Sequence, residues 1–155
     1  MKKVESEPAV RLPDVRVLVV DDEPDMRIYI RSCLTRLGVA ETHVLEAADG
    51  AEALAITRRT PPDLVISDVV MRGLDGVALA HALAEAPETR DVRVLLVTGS
   101  ASGFSSASVW AAERPERVLL SKPFNATRIK EAVEALLHIK GTTPSGSPRD
   151  DPRGS

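Results

Sequence analysis

Five short apolar runs, each cut off by polar residues and each followed by a stretch with helical spacing, constrain this chain more than any other feature. They lie at 16–20, 43–47, 64–68, 93–97 and 118–120. The run at 64–68, Leu-Val-Ile-Ser-Asp, is the most informative. It is preceded by Pro61, Pro62 and Asp63 and ends on Asp68, and residues 71–76 then carry two glycines and an aspartate before an apolar helical pattern starts. A strand therefore opens into a loop and the loop into a helix. Strands alternating with helices predict an α/β fold with a parallel sheet covered on both faces, because right-handed crossovers place helices there. All carboxyl ends of such a sheet point the same way, and open α/β sheets bind ligands at that edge.

The intervening patterns fill in the frame. Pro24 suits a first helical turn, and Met26, Ile30, Cys33, Leu34 and Leu37 follow along one face until Gly38 closes the helix. Asp49 can cap a helix from Gly50 with Leu54 and Ala55 inward, ended by Thr60-Pro61-Pro62. Leu79, Ala80 and Leu83 mark a short amphipathic helix ending near Pro87. Residues 100–108 are rich in serine and glycine, whose helix propensity is low, so the helix before Pro115 is expected to be short or frayed. Asn125 caps a long last helix on which Ile129, Ala132, Val133, Leu136 and Leu137 share a face, with Gly141 at its end. Residues 1–15 lack periodicity and are expected to be a flexible leader, 16–140 the folded domain, and 141–155 a disordered tail of proline, serine, glycine and charge.

Composition excludes several classes. A chain of 155 residues, 43% of them hydrophobic, suits one domain with a proper core. A formal charge of -3, with Lys2-Lys3 and Arg58-Arg59 as the basic pairs, argues against a nucleic-acid partner. The single Cys33 cannot form an internal disulfide and reads as a small buried hydrophobe in a reducing compartment. No apolar run approaches the ~20 residues that span a bilayer. The amino-terminal stretch has charges and prolines where a signal peptide has its apolar core, so no membrane association and a cytoplasmic location are expected.

The strand tips carry the chemistry. Asp21 and Asp22 end the first run, Asp68 the third, Thr98 the fourth and Lys122 the fifth, so residues far apart in sequence gather on one edge. Taken singly, an aspartate at a strand end is an ordinary cap or turn residue, and a threonine or Lys-Pro there is ordinary too. Their conjunction at successive tips is what points to a site. Crowded carboxylates repel one another unless a cation sits between them. Magnesium suits them, because it takes hard oxygen ligands and binds through one or two carboxylates plus a phosphate. Aspartate can accept a phosphoryl group, with the Lys122 charge and the Thr98 hydroxyl to meet the phosphoryl oxygens.

Val-Val-Asp-Asp-Glu-Pro at 19–24, Val-Ile-Ser-Asp-Val-Val-Met at 65–71, Gly-Leu-Asp-Gly at 73–76, Val-Thr-Gly at 97–99 and Ser-Lys-Pro-Phe at 121–124, in this order, resemble the receiver domains of two-component response regulators. The resemblance spans roughly 16–140 and implies a doubly wound, flavodoxin-like fold of five parallel strands in the order 2-1-3-4-5. It implies that Asp68 is the phosphoacceptor and that Asp22, Asp68 and the Val70 carbonyl bind magnesium, with Asp21 acting through water. Thr98 and Lys122 would contact the phosphoryl group, and the Lys122–Pro123 bond would be cis. The chain departs from the family at Arg72, where proline is usual, and at Leu119, which replaces the usual switch aromatic.

The expected function is that of a phosphorylation-controlled interaction module, not an enzyme, served by a histidine kinase or a histidine phosphotransfer protein. With little but tail after the last helix, it is expected to be a stand-alone regulator, which a starting Met1 favours, or a receiver from a hybrid histidine kinase. A magnesium-dependent phosphohydrolase passing through an aspartyl phosphate is the enzyme-class rival. Such enzymes generally need a second acid two residues beyond the nucleophile, and Val70 stands there. A nucleotide-binding fold would need a glycine-rich turn after the first strand, where Asp21-Asp22-Glu23-Pro24 would repel phosphates.

Overall fold

A computed structural model describes residues 12–138. Its sheet has five parallel strands in the order β2-β1-β3-β4-β5: β1 (Val17–Val20), β2 (Val44–Ala47), β3 (Leu64–Asp68), β4 (Arg93–Thr98) and β5 (Val118–Ser121). The helices α1 (Pro24–Leu37), α2 (Gly50–Arg59), α3 (Gly76–Glu85), α4 (Ala101–Ala112) and α5 (Ala126–His138) follow the strands in turn. This is the predicted doubly wound order. The expectations for most of the leader, for Gly141 as the last helix stop and for the tail fall at 1–11 and 139–155, outside the described residues. Within 12–15, Leu12–Asp14 form a 3-10 turn and Val15 is 1% exposed, so core packing begins just before residue 16.

Alternate residues of each strand feed opposite faces, as the period of two requires. Val17, Val19, Leu64, Ile66, Leu95 and Val97 pack with α1 and α5. Leu18, Val20 and Val65 meet Ala53 of α2 and Leu79 and Leu83 of α3, while Leu96 meets Ala80, Ala107 and Trp110 beneath α3 and α4. Burial on both faces explains why the strands read as unbroken apolar runs. Cys33 is buried in the α1 face of this core, as its spacing predicts.

Two expectations need correction. On α2 the inward residues are Ala53 and Thr57, with Leu54 half-buried, whereas Ala55 is exposed; the Thr57 hydroxyl satisfies itself on the Leu54 carbonyl at 2.9 Å. The Asp49 carboxylate caps the helix by accepting from Glu52 N–H at 2.8 Å, and at 3.6 residues per turn Ala53 and Thr57, four apart, share the face toward the sheet while Ala55 falls away from it.

The second correction is larger. The serine-rich segment forms a regular helix of twelve residues, α4, in place of a short or frayed one. Ser100 caps it by accepting from Gly103 N–H at 2.9 Å, and Ser105, Ser106 and Ser108 bond back to the carbonyls of Ala101, Gly103 and Phe104. Tertiary packing supplies what propensity lacks. Trp110 is 3% exposed, and the Arg117 guanidinium lies 4.9 Å over its ring while donating to the Trp110 carbonyl at 2.8 Å.

This dependence on one anchor is testable. Trp110→Ala is expected to cost about 3–5 kcal/mol in urea denaturation followed by circular dichroism, with loss of helix signal before the global transition. A cost below about 1 kcal/mol would mean that α4 does not rest on Trp110.

Candidate functional site

The parallel register brings the predicted tips together. Val20 lies beside Ser67, Asp68 beside Val97, and Thr98 beside Ser121, so the ends of β1, β3, β4 and β5 form one edge. Asp21, Asp22 and Asp68 each offer a carboxylate oxygen, and these oxygens all lie within 4.8 Å of one another. Asp21 is buried, Asp68 half-buried and Asp22 exposed, so the group grades from core to solvent. Lys122 follows β5, and its Nζ stands 3.5 Å from Asp68 Oδ2 and 3.8 Å from Asp21 Oδ2. The Lys122–Pro123 bond is cis, as the resemblance implies. Backbone pairing fixes the lysine, since Lys122 N–H donates to the Thr98 carbonyl at 2.8 Å.

Electrostatics follow from burial. Desolvation is the largest influence on Asp21, opposed by the Glu23 N–H donating to its carboxylate at 2.9 Å and reinforced by the nearby Asp68 charge; together they push its pKa up to about 6. Burial also raises Asp68, against the pull of Lys122. A buried and a half-buried acid with elevated pKa values beside a third carboxylate make a donor set that a divalent cation would relieve. All the donors are hard oxygens, which suits magnesium.

The α3 loop reaches this edge through a close approach. A Cβ on Gly76 would collide with the Asp68 carbonyl oxygen, and Gly76 N–H donates to the Val69 carbonyl at 2.8 Å. Asp75 then caps α3 by accepting from Ala78 N–H at 2.8 Å. The Val70 side chain, in the loop just after Asp68, is half exposed at the rim.

Thr98 is 2% exposed, and its hydroxyl has only long contacts of 3.4 Å to the Ser100 backbone. A Cβ on Gly103 would lie 2.5 Å from Thr98 Oγ1, 2.8 Å from Ser100 Oγ and 2.9 Å from Val70 Cγ2. The first turn of α4 therefore closes directly over the threonine and the loop after Asp68. Sequence reasoning missed Gly103, although a glycine in a helix of poor propensity was the signal for it. It also missed Arg27, which donates to the Asp21 carbonyl and bonds Glu46 Oε1 at 3.0 Å. Leu119 is half-buried against the α4 cluster of Ala107 and Trp110.

Comparison with known proteins places this geometry. Residues 17–134 match the response regulator receiver domain family. The probable chemotaxis protein CheY of Rhizobium etli is 32% identical over 122 residues, covering 79% of this chain and 92% of that protein. The sensor histidine kinase TmoS of Ectopseudomonas mendocina is 34% identical over 125 residues, 81% of this chain but 12% of the kinase. The chemotaxis protein CheY4 of Vibrio cholerae superposes with a TM-score of 0.68 at 28% identity, over 79% of this chain and 98% of that one. The strand order, the shared edge and these matches together make the chain a member of the response regulator receiver domain family of two-component signalling.

Proposed function

We propose that this receiver accepts a phosphoryl group on Asp68 from a histidine kinase or a histidine phosphotransfer protein, and thereby changes its affinity for an output partner. The observation that carries the reading is the Lys122 ammonium, 3.5 Å from Asp68 and 3.8 Å from Asp21 at the edge where three carboxylates converge. An Asp68 oxygen attacks phosphorus as the donor's phosphorus–nitrogen bond breaks, and the electron pair leaves with the imidazole. Asp22, Asp68 and the Val70 carbonyl would hold magnesium, with Asp21 acting through water; the ion supplies charge neutralisation of the transferring group. Lys122 then meets one phosphoryl oxygen as a point charge, and the weakly bonded Thr98 hydroxyl donates to another.

The interaction-module reading is preferred to a phosphohydrolase. Val70 offers no acid to activate water two residues beyond Asp68, and Ser100, the α4 cap, is neutral and no general base. Leu119 replaces an aromatic rotamer switch with an aliphatic contact on α4, so the route from Thr98 to the surface runs through the Gly103 turn. Exposed Phe104 and Val109 ride on that helix.

Acetyl phosphate with magnesium is expected to add one phosphoryl group to the parent, detected by intact mass, and none when a chelator is present. The Asp68→Asn protein should gain nothing, and equal modification of that variant would overturn the assignment.

Acid–base behaviour gives an independent check. The Asp21 pKa is raised from 3.8 to about 6 on folding, so the group contributes stability that is fully present below the unfolded value and lost as pH rises through about 6. In chelator, the urea midpoint of the parent should fall across this window relative to Asp21→Asn, and magnesium should offset the loss above it. Parallel pH profiles for the two proteins in chelator would show that folding does not raise Asp21, and an equal gain from magnesium in both would remove Asp21 from the cation site.

The phosphorylated state should also be long-lived. Val70 cannot hydrogen-bond an attacking water, and Ser100 is a short, neutral partner without a basic group, so the positioning and general-base assistance worth ~10²-fold or more is missing. Phosphate release after an acetyl phosphate pulse should be slower in the parent than in Val70→Asn with Ser100→Glu; equal rates would show that another group orients the water.

A further inference from the structure

A second cluster of charge lies at the opposite edge of the sheet, where β4 begins. Arg93 opens that strand and Thr98 ends it, so roughly 16 Å of extended backbone separates the cluster from the carboxylates. Here the end of α3, the segment entering β4 and the end of α4 leave a cleft of about 520 Å³, within the range of small-molecule sites. Its walls include Leu83, Val94, Trp110 and Leu136, and four arginines reach it: Arg90, Arg93, Arg114 and Arg117.

Two of those arginines are spoken for. Arg117 pairs with Glu113 at 2.8 Å and Arg114 with Glu116 at 3.7 Å. Arg93 is different: the residue is half-buried in the cleft lining, and its guanidinium has no hydrogen-bond or ion-pair partner among the described residues. An unpartnered guanidinium beside an apolar wall is an unmet demand for an oxyanion, to which its terminal N–H groups can donate. Exposed Arg90 also lines the cleft, where the acids are Asp91 and the Glu116 already paired with Arg114. The apolar wall behind these cations calls for a ligand with an apolar body.

We propose that this cleft is a second ligand site, for a small organic oxyanion whose carboxylate or phosphate head is held by Arg93 and Arg90 and whose apolar body lies against Leu83, Val94 and Trp110. It does not depend on phosphorylation of Asp68.

Trp110 is the only tryptophan and lines the cleft, so its emission reports on occupancy. Phenyl phosphate, benzoate and inorganic phosphate are titrated against the full chain, with excitation at the red edge of tryptophan absorption and calorimetry in parallel. Saturable one-to-one binding of phenyl phosphate or benzoate is expected, with the tighter of the two naming the head group and inorganic phosphate at least about tenfold weaker. Arg93→Met should weaken the binding about tenfold or more, as loss of a charge-assisted bond does. Ala84→Phe keeps every arginine and obstructs the cleft from an exposed lining position, so it should abolish binding even if Arg93→Met fails to fold. The proposal is overturned if neither aromatic anion saturates, if inorganic phosphate binds as tightly as phenyl phosphate, or if Ala84→Phe leaves the titration unchanged.

Discussion

Burial of Asp21 and partial burial of Asp68 beside a third carboxylate, Asp22, is the constraint on which the rest of the structure turns. Unit charges about 4 Å apart near a protein surface interact by on the order of 4 kcal/mol, a large fraction of a domain's net stability. Their oxygens converge within 4.8 Å, and Lys122 is the cation beside them among the described residues. Burial is the larger influence on the acids: desolvation foremost, reinforced by the Asp68 charge, pushes the Asp21 pKa up to about 6, and burial raises Asp68 as well. A divalent cation bound among these carboxylates would relieve the imbalance of three acids against one ammonium. The Lys122 ammonium already stands beside the place that a phosphoryl group on the proposed acceptor would take.

The scaffold resists that repulsion with backbone bonds more than with side chains. Asp21 N–H donates to the Ala47 carbonyl, Val69 N–H to Val97 and Lys122 N–H to Thr98, so the residues at or beside the tips are tied into neighbouring strands. Close approach does the remaining work at Gly76, where no side chain larger than hydrogen fits against the Asp68 carbonyl. A rigid edge of this kind keeps charges at fixed separations, which positioning chemistry requires.

Against that rigid edge α4 is the soft element. Its serines and glycine give it little intrinsic helicity, and it is held by the Ser100 cap at one end and by Trp110 with Arg117 at the other. Its first turn touches Thr98 and Val70, and its last turn borders the arginine cleft. An element anchored at both ends and weak between them joins the Thr98 edge to the arginine cleft. Leu119 underlies it where a larger aromatic would fill more space.

Much of this was legible before any coordinates. Period-two and period-3.6 patterns named the five strands and five helices, and parallel topology alone required Asp21, Asp68, Thr98 and Lys122 to share an edge, because every carboxyl end in such a sheet faces one way. The strand order came through the family resemblance, since local patterns carry no information about which strands are neighbours. Other features depend on contacts between distant segments. The full length of α4 contradicted its propensity because Trp110 is buried under Arg117, and the inward face of α2 moved from Ala55 to Thr57 because Ala53 and Thr57, four apart, share the face toward the sheet. The elevated Asp21 pKa, the Gly103 turn over Thr98 and the unpaired Arg93 in its cleft likewise arise from burial and close approach, quantities that exist only once the chain is packed.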